Sequence, residues 1–291
     1  MSFRTVVIDN RCKLEYSLNY MVCRKGLEIK RILVSEIKTL VINSLQVSIT
    51  TTLISELIKN KVKIIFIDET HNPSGEIIPY QNNYYSYRKI KEQINFSTER
   101  KDYLWKHIVI AKIVNQAINL SKVNKKVEYN KLLEYATQVE NKDLTNREGH
   151  AAKVYFYGLF GHDFKRDDRD NNINKYLNYG YSIILSAINR EIKVLGYLTE
   201  LGIHHIGESN SFNLSCDFIE PLRPFVDSYI IQKKVNESNY KKELINMLYD
   251  KVIYNGKEFF LDNAIKLYVE DMMNYLATGD EMKIRFIEYG V

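Results

Sequence analysis

At 291 residues and 45% hydrophobic, the chain is long enough for one large domain or two ordinary ones and has the balance of a globular protein. Lys and Arg outnumber Asp and Glu by 41 to 36, a mild excess that permits a nucleic-acid partner without demanding one. No apolar run reaches the roughly 18 residues of a membrane span, the opening MSFRTVVIDNR lacks a signal peptide's apolar core, and Cys12, Cys23 and Cys216 form no CxxC pair or Cys/His cluster, so a cytoplasmic protein with free thiols and no zinc site is expected.

The first seventy or so residues read as short strands. Residues 3–8 (FRTVVI) are apolar and β-branched, and residues 13–20 (KLEYSLNY) alternate, placing Leu14, Tyr16, Leu18 and Tyr20 on one face. Further strands are expected at 21–23, 28–33, 39–42, 47–49 and 63–68, with a helix over 51–60 from the spacing of Leu53, Ile54, Leu57 and Ile58. The segment 70–83, THNPSGEIIPYQNN, holds two of the four prolines and no helical period, and reads as a linker. Beyond it the pattern turns helical. Ser97 is expected to cap a helix over 98–120. Helices over 129–139 and 145–160 follow, then a charged loop (KRDDRDNN), then a long helix over 175–201 stopped by Gly202. VIYNGKEFFL reads as a hairpin turning at Asn255-Gly256, and 264–276 as the last helix. The expected fold class is α+β, with a small N-terminal β-rich domain over 1–75, a linker over 76–95 and a larger all-α domain over 96–291.

Polar groups converge in three places. In NREGHAAKVYF, Glu148 falls in the first turn of a helix, and Thr145-x-x-Glu148 also matches a capping box. In GIHHIG, His204 and His205 begin a loop after a helix stop, where a rigid element positions side chains. In CDFIEPLRPFVD, Asp217 and Glu220 share a helix face while Pro221 and Pro224 restrict the backbone. The bland alternative there is an N-cap Asp with an ion pair to Arg223. Taken together, one His with two or three carboxylates suits Mg2+ or Mn2+ better than structural zinc. Such ions serve phosphoryl transfer without a protein nucleophile. No GxSxG, P-loop or Rossmann glycine pattern competes.

These segments lie within a longer pattern: RTVVIDN, LVSEI, IIFID, NREGHAAKVYFYGLFG, LNYGYSIILSAINREI and GIHH…FNLSCDFIEPLRPFVD. Along nearly its whole length the chain resembles the CRISPR adaptation integrase, CRISPR-associated protein one, in the branch that accompanies type II systems. The resemblance implies that Glu148, His205 and Glu220 are catalytic and hold a divalent ion, Mg2+ or Mn2+. It makes Asp217, first acid of the DxxE pair, a further metal-ligand candidate, and the spacing favours His205 over His204. It implies a homodimer with catalysis in the helical domain, and a small partner, CRISPR-associated protein two, in a complex that inserts short duplex DNA beside a CRISPR repeat. Contacts with other type II CRISPR proteins are a further expectation. The implied reaction is metal-assisted transesterification by a DNA 3′-hydroxyl. Arg147, Lys153, Arg166, Arg190 and Arg223 are expected to clamp backbone phosphates. The same residues would serve a hydrolytic endonuclease, and a catalytically silent DNA-binding scaffold is the reading from a different class.

Overall fold

Leu14 and Met21 from one set of strands, Ile37, Leu40 and Ile64 from another, and Leu53 and Leu57 from a helix meet in one buried cluster. This is the core of the first of two compact units, Met1–Gln81 and Asn82–Val291. The computed structural model describes residues 4–67, 73–77, 86–168 and 170–289. The first unit contains β1 (Arg4–Ile8), β2 (Cys12–Ser17), β3 (Tyr20–Lys25), β4 (Glu28–Leu33), β5 (Ile37–Ile42), β6 (Val47–Ile49), helix α1 (Thr51–Lys59), β7 (Lys63–Ile67) and β8 (Pro73–Glu76). They form two four-stranded sheets, β1-β5-β7-β8 and β4-β3-β2-β6. Strands β1, β5 and β7 run parallel. The near-continuous apolar runs of β5 and β7 suit parallel strands covered on both faces.

Two expectations change here. The strand expected over 13–20 breaks at Leu18 and Asn19, whose φ values are 48° and 68°. They form the two-residue turn of the β2–β3 hairpin, closed by the Ser17–Tyr20 pair. Leu18 is therefore 84% exposed rather than aligned with Leu14. The segment 70–83, expected as a linker, carries β8, which begins at a proline and pairs antiparallel with β7 at the sheet edge. Asp68 of the expected strand, and residues 69–72 and 78–85, lie outside the described residues.

The second unit follows with α2 (Ser86–Ile94), α3 (Thr98–Lys122), α4 (Lys126–Thr137), α5 (Arg147–Phe160), α6 (Asn172–Val194), α7 (Asn213–Ile219), α8 (Arg223–Gln232), α9 (Tyr240–Asn246), the hairpin β9 (Lys251–Tyr254) and β10 (Lys257–Phe260), and α10 (Leu261–Thr278). Helix α2 falls inside the 76–95 stretch expected as a linker, because its Gln93 is buried against a later loop. Ser97 caps α3, its hydroxyl accepting the Arg100 N–H at 3.2 Å. Leu104, Trp105, Ile108, Val109, Ile113, Ala117 and Leu120 bury α3 at the centre of the unit, against α4, α5 and α8. Helix α6 ends at Val194, with Gly196 in the left-handed region (φ 86°), so Gly202 is not its stop. Asn255 and Gly256 turn the hairpin with φ 50° and 70°, the only strands among this unit's described residues. A strand-rich N-terminal region followed by a mostly helical one is thus the observed class. No helix among the described residues is long and apolar enough to cross a membrane.

The packing of α6 on α8 sets where the DxxE segment sits. A Cβ on Gly180 would lie 2.4 Å from Val226 Cγ1 and 3.3 Å from Leu244 Cδ2. Valine is stiff at χ1 and cannot swing aside. Gly180→Ala is expected to lower stability by about 1–3 kcal/mol in urea unfolding; an unchanged midpoint would show that the two helices separate freely.

Candidate active site

Helix α5 begins after a turn in which Asp143 and Asn146 both have left-handed backbones, φ 51° and 50°. Short polar side chains tolerate this conformation because they hydrogen-bond locally. The Asp143 carboxylate accepts the N–H groups of Arg147 and Glu148, both at 2.9 Å, and Asn146 Oδ1 accepts that of Gly149 at 3.1 Å. Three otherwise unpaired donors are thereby satisfied. The capping box of Thr145 with Glu148 does not form, since Asn146 is the cap. Glu148 is left free to reach toward α3.

The two histidines sit on the loop between α6 and α7. Gln93 pins this loop: its amide donates to Leu198 O (2.8 Å) and Leu201 O (3.1 Å) and accepts the Leu198 N–H (2.8 Å). Asp217, fully buried on α7, gathers the rest. Its carboxylate accepts the N–H groups of Ile203 (2.6 Å), His204 (3.3 Å) and His205 (3.0 Å), and meets His205 Nδ1 at 2.7 Å. A Cβ on Gly202 would stand 2.2 Å from His205 O and 2.8 Å from Asp217 Oδ2, so only glycine lets the loop fold this tightly. Asp217, expected as a further ligand, holds the loop through these four contacts. The Asp217 oxygens already accept three N–H groups, so Nδ1 is the ring atom that donates to them, and in the neutral ring Nε2 presents the lone pair. His204 stacks flat on Trp105, with centroids 4.0 Å apart and planes at 3°. Trp105 meets His205 edge-on at 5.8 Å.

Glu220 arrives by the proline-rich segment. Pro221 and Pro224 start helical turns, where a missing N–H is harmless. The carbonyls of these two prolines accept from Asn115 Nδ2 (2.8 Å) and Asn119 Nδ2 (2.6 Å), one turn apart on α3. This staples the segment to the central helix and buries Glu220 at 4% exposure. Lys112, on α3 between those anchors and Trp105, places its ammonium 2.5 Å from Glu148 Oε1 and 2.5 Å from Glu220 Oε2. Arg223 Nε holds the other Glu220 oxygen at 2.7 Å. One cation therefore joins an acid on α5 to an acid before α8.

Electrostatics agree with the geometry. Burial works to raise the Glu220 carboxyl, but Arg223 and Lys112 outweigh it and hold it down to about 2. Burial opposes the charge on Lys112, yet Glu220 and Glu148 raise its pKa above the ordinary lysine value. The hydrogen bond that His205 donates to Asp217 raises the His205 pKa, and the charges of Glu220 and Glu148 add to it, so all three expected site residues lie in one field. Burial lowers His204. Among the described residues, no three His, Cys, Asp or Glu side chains already stand in coordinating geometry. In chemical type, two carboxylates and an imidazole are donors that a hard divalent cation accepts. Two carboxylate oxygens already share one positive charge, and the partly exposed His205 ring lies within the field of both acids. Beside His205, a cavity of about 410 Å³ is lined by Gln93, Phe96, Lys101, Ile206 and Asn210, among others.

Comparison with known proteins decides the family. The model of the family described as CRISPR associated protein Cas1 matches residues 5–252. The chain belongs to the Cas1 family. It is 35% identical over 231 residues to the CRISPR-associated endonuclease Cas1 of Neisseria meningitidis serogroup C, covering 79% of this chain and 76% of that one. In fold it is similar to a casposase bound to an integration product, with a TM-score of 0.79 at 20% identity over 96% of this chain and 92% of that one. It is likewise similar to a chain of a Cas6-RT-Cas1–Cas2 complex, with a TM-score of 0.76 at 18% identity, covering 96% of this chain and 35% of that one.

Within this Cas1-family chain, the cations expected to clamp DNA divide. Arg190 is mostly buried, paired with Glu191 and 3.6 Å from Asp262. Arg223 is bound to Glu220 and lies over the Tyr181 ring at 4.7 Å, which makes it a positioning group. Arg147 lies over Tyr135, Arg166 bonds Asn174 and Asn178, and Lys153 is exposed beside Tyr157. Lys112, Trp105 and Asp143 were not legible as site residues. The available signal was polar residues, Lys112, Gln116 and Asn119, recurring at helical spacing among the apolar positions of α3.

Behind Arg223, the fully buried Asp227 accepts the hydroxyls of Tyr155 (2.8 Å) and Tyr181 (2.5 Å). Burial pushes its carboxyl from 3.8 up to about 6, although both hydroxyls pull it back. A carboxyl held above its unfolded value binds its proton more tightly in the folded chain, so its contribution to stability is lost as pH rises from 3.8 to about 6. Wild type is expected to lose about 3 kcal/mol more than Asp227→Asn across that window in denaturant unfolding. A constant gap between the two proteins would contradict this.

Proposed function

We propose that the chain is a spacer-integration nuclease that joins DNA by divalent-metal-dependent transesterification. The meeting of Glu148 and Glu220 on the Lys112 ammonium, with the His205 imidazole near enough for the charges of both acids to raise its pKa, carries this reading. Membership of the Cas1 family and likeness to a casposase bound to an integration product support the same class of chemistry. Mg2+ or Mn2+ would be held by Glu148, Glu220 and His205 Nε2, supplying charge to polarise the scissile phosphate and stabilise the leaving oxygen.

The chain's own groups do the rest. Asp217 keeps the His205 proton on Nδ1 and fixes the ring, so that Nε2 stays available. Arg223 keeps Glu220 ionised and aimed. The prespacer 3′-hydroxyl loses its proton, its oxygen forms a new bond to phosphorus, and the P–O3′ bond of the repeat strand breaks, its oxygen taking a proton. One phosphodiester replaces another, so no protein nucleophile and no external energy source is required. Arg147, Lys153 and Arg166 are proposed to neutralise backbone phosphates without reading sequence.

The substrates in this proposal are a short duplex and the CRISPR repeat. Likeness to a chain of a Cas6-RT-Cas1–Cas2 complex supports a Cas2-type partner. Homodimerisation through residues 1–75, catalysis in residues 96–291, contacts with other type II CRISPR proteins and a cytoplasmic location belong to the same proposal. Hydrolysis by water is the second reading, favoured by the name endonuclease borne by the Neisseria relative.

One assay separates them. A duplex with free 3′-hydroxyls is mixed with a repeat-bearing supercoiled plasmid, with and without a Cas2 partner. Joined products are expected in Mg2+ or Mn2+ and none in EDTA. Glu148→Gln, His205→Ala and Glu220→Gln are each expected to lower joining about 100-fold or more while DNA binding persists. Nicking without joining would select hydrolysis, and full joining by all three variants would dismiss the site.

A further inference from the structure

A buried ammonium needs anionic partners, and Lys112, at 8% exposure, has two: Glu148 and Glu220. It therefore bonds one oxygen of each acid to which the proposed metal reading assigns the ion. A divalent ion on those oxygens would sit closer to them than an ammonium does and would repel the Lys112 charge at short range. Glu220 has a second cation, Arg223, but that one is anchored. Its guanidinium takes the opposite oxygen and lies over the Tyr181 ring. Lysine, a point charge on a flexible four-carbon stem, is the partner able to leave.

We infer that Lys112 is a displaceable counter-ion: its ammonium holds Glu148 and Glu220 together in the metal-free protein and must vacate their oxygens when a divalent cation binds. The inference rests on the metal reading above. It explains how α5 and the proline-rich segment keep two acids side by side without an ion, and why Arg223 alone is insufficient, since it reaches only Glu220. It also gives the protein a built-in threshold, because an ion must outcompete two short charge-assisted hydrogen bonds before it enters. Lys112 is thus a positioning residue for the acids and a competitor of the metal.

The two roles move metal affinity in opposite directions, which makes the inference testable. Mn2+ binding to the full chain is measured by the paramagnetic resonance signal of the free ion, for wild type, Lys112→Met, Lys112→Gln, Glu148→Gln and Glu220→Gln. Both Lys112 variants are expected to bind Mn2+ about tenfold more tightly than wild type or better, since charged hydrogen bonds no longer compete. Their melting temperatures are expected to fall without metal and to rise more than that of wild type on adding Mn2+. Lys112→Gln retains an amide that can bond both acids, which guards against failure of the methionine variant to fold. Equal or weaker Mn2+ binding by the Lys112 variants, with binding lost in the Glu variants, overturns the inference and leaves the metal site standing. Binding that ignores both glutamates overturns the metal reading and the inference with it.

Discussion

The helical unit is organised around a charge problem. Glu220 is buried in a segment of apolar side chains, and burying a carboxylate alone is prohibitive. The fold answers with two cations, Lys112 from the central helix and Arg223 from the helix that follows. Lys112 then reaches Glu148, which ties the start of α5 to the same point. Every other feature of the site can be read as support for this cluster. Asn115 and Asn119 fix the proline-rich segment on α3, and Asp143 and Asn146 fix the start of α5.

The imidazole is delivered by a different strategy. No regular element carries His205. A loop is wrapped around one buried carboxylate, Asp217, which accepts three backbone N–H groups and the ring itself. Trp105 closes the other side by stacking on His204. The loop thus gains the rigidity of a helix terminus without being one. Pre-organisation of this kind lets a ligand group hold one orientation before any ion or substrate arrives. Lys112 and Trp105 lie two turns apart on the same face of α3, so one buried helix supports both halves of the site.

Much of this was legible in the sequence, for identifiable reasons. The three segments bearing Glu148, His205 and Glu220 stood out because acids and imidazoles at element ends are chemically conspicuous, and the Cas1 resemblance matched them by motif. The strand-to-helix change showed in periodicity alone. What escaped was tertiary. Lys112 on a helix reads as a surface charge until the partners across the fold are known. Thr145 offered a capping box, but Asn146 and the distant geometry of Asp143 won the helix terminus. Gly202 looked like a helix stop, yet its role is close approach to Asp217, and Gly196 ends the helix. Leu18 fitted an alternating strand, but hairpin closure by Ser17 and Tyr20 overrode a two-residue stretch of pattern. Arg190 carried a charge of the right sign whose partners, Glu191 and Asp262, only the fold reveals.

The account depends on Glu148, His205 and Glu220 sharing a single ion. A crystal soaked in Mn2+ and measured at a wavelength giving manganese anomalous signal tests this directly. The account predicts one anomalous peak within about 2.5 Å of both carboxylates and of His205 Nε2, with the Lys112 ammonium moved off their oxygens. A peak elsewhere, with Lys112 still bridging the two acids at full occupancy, would contradict it.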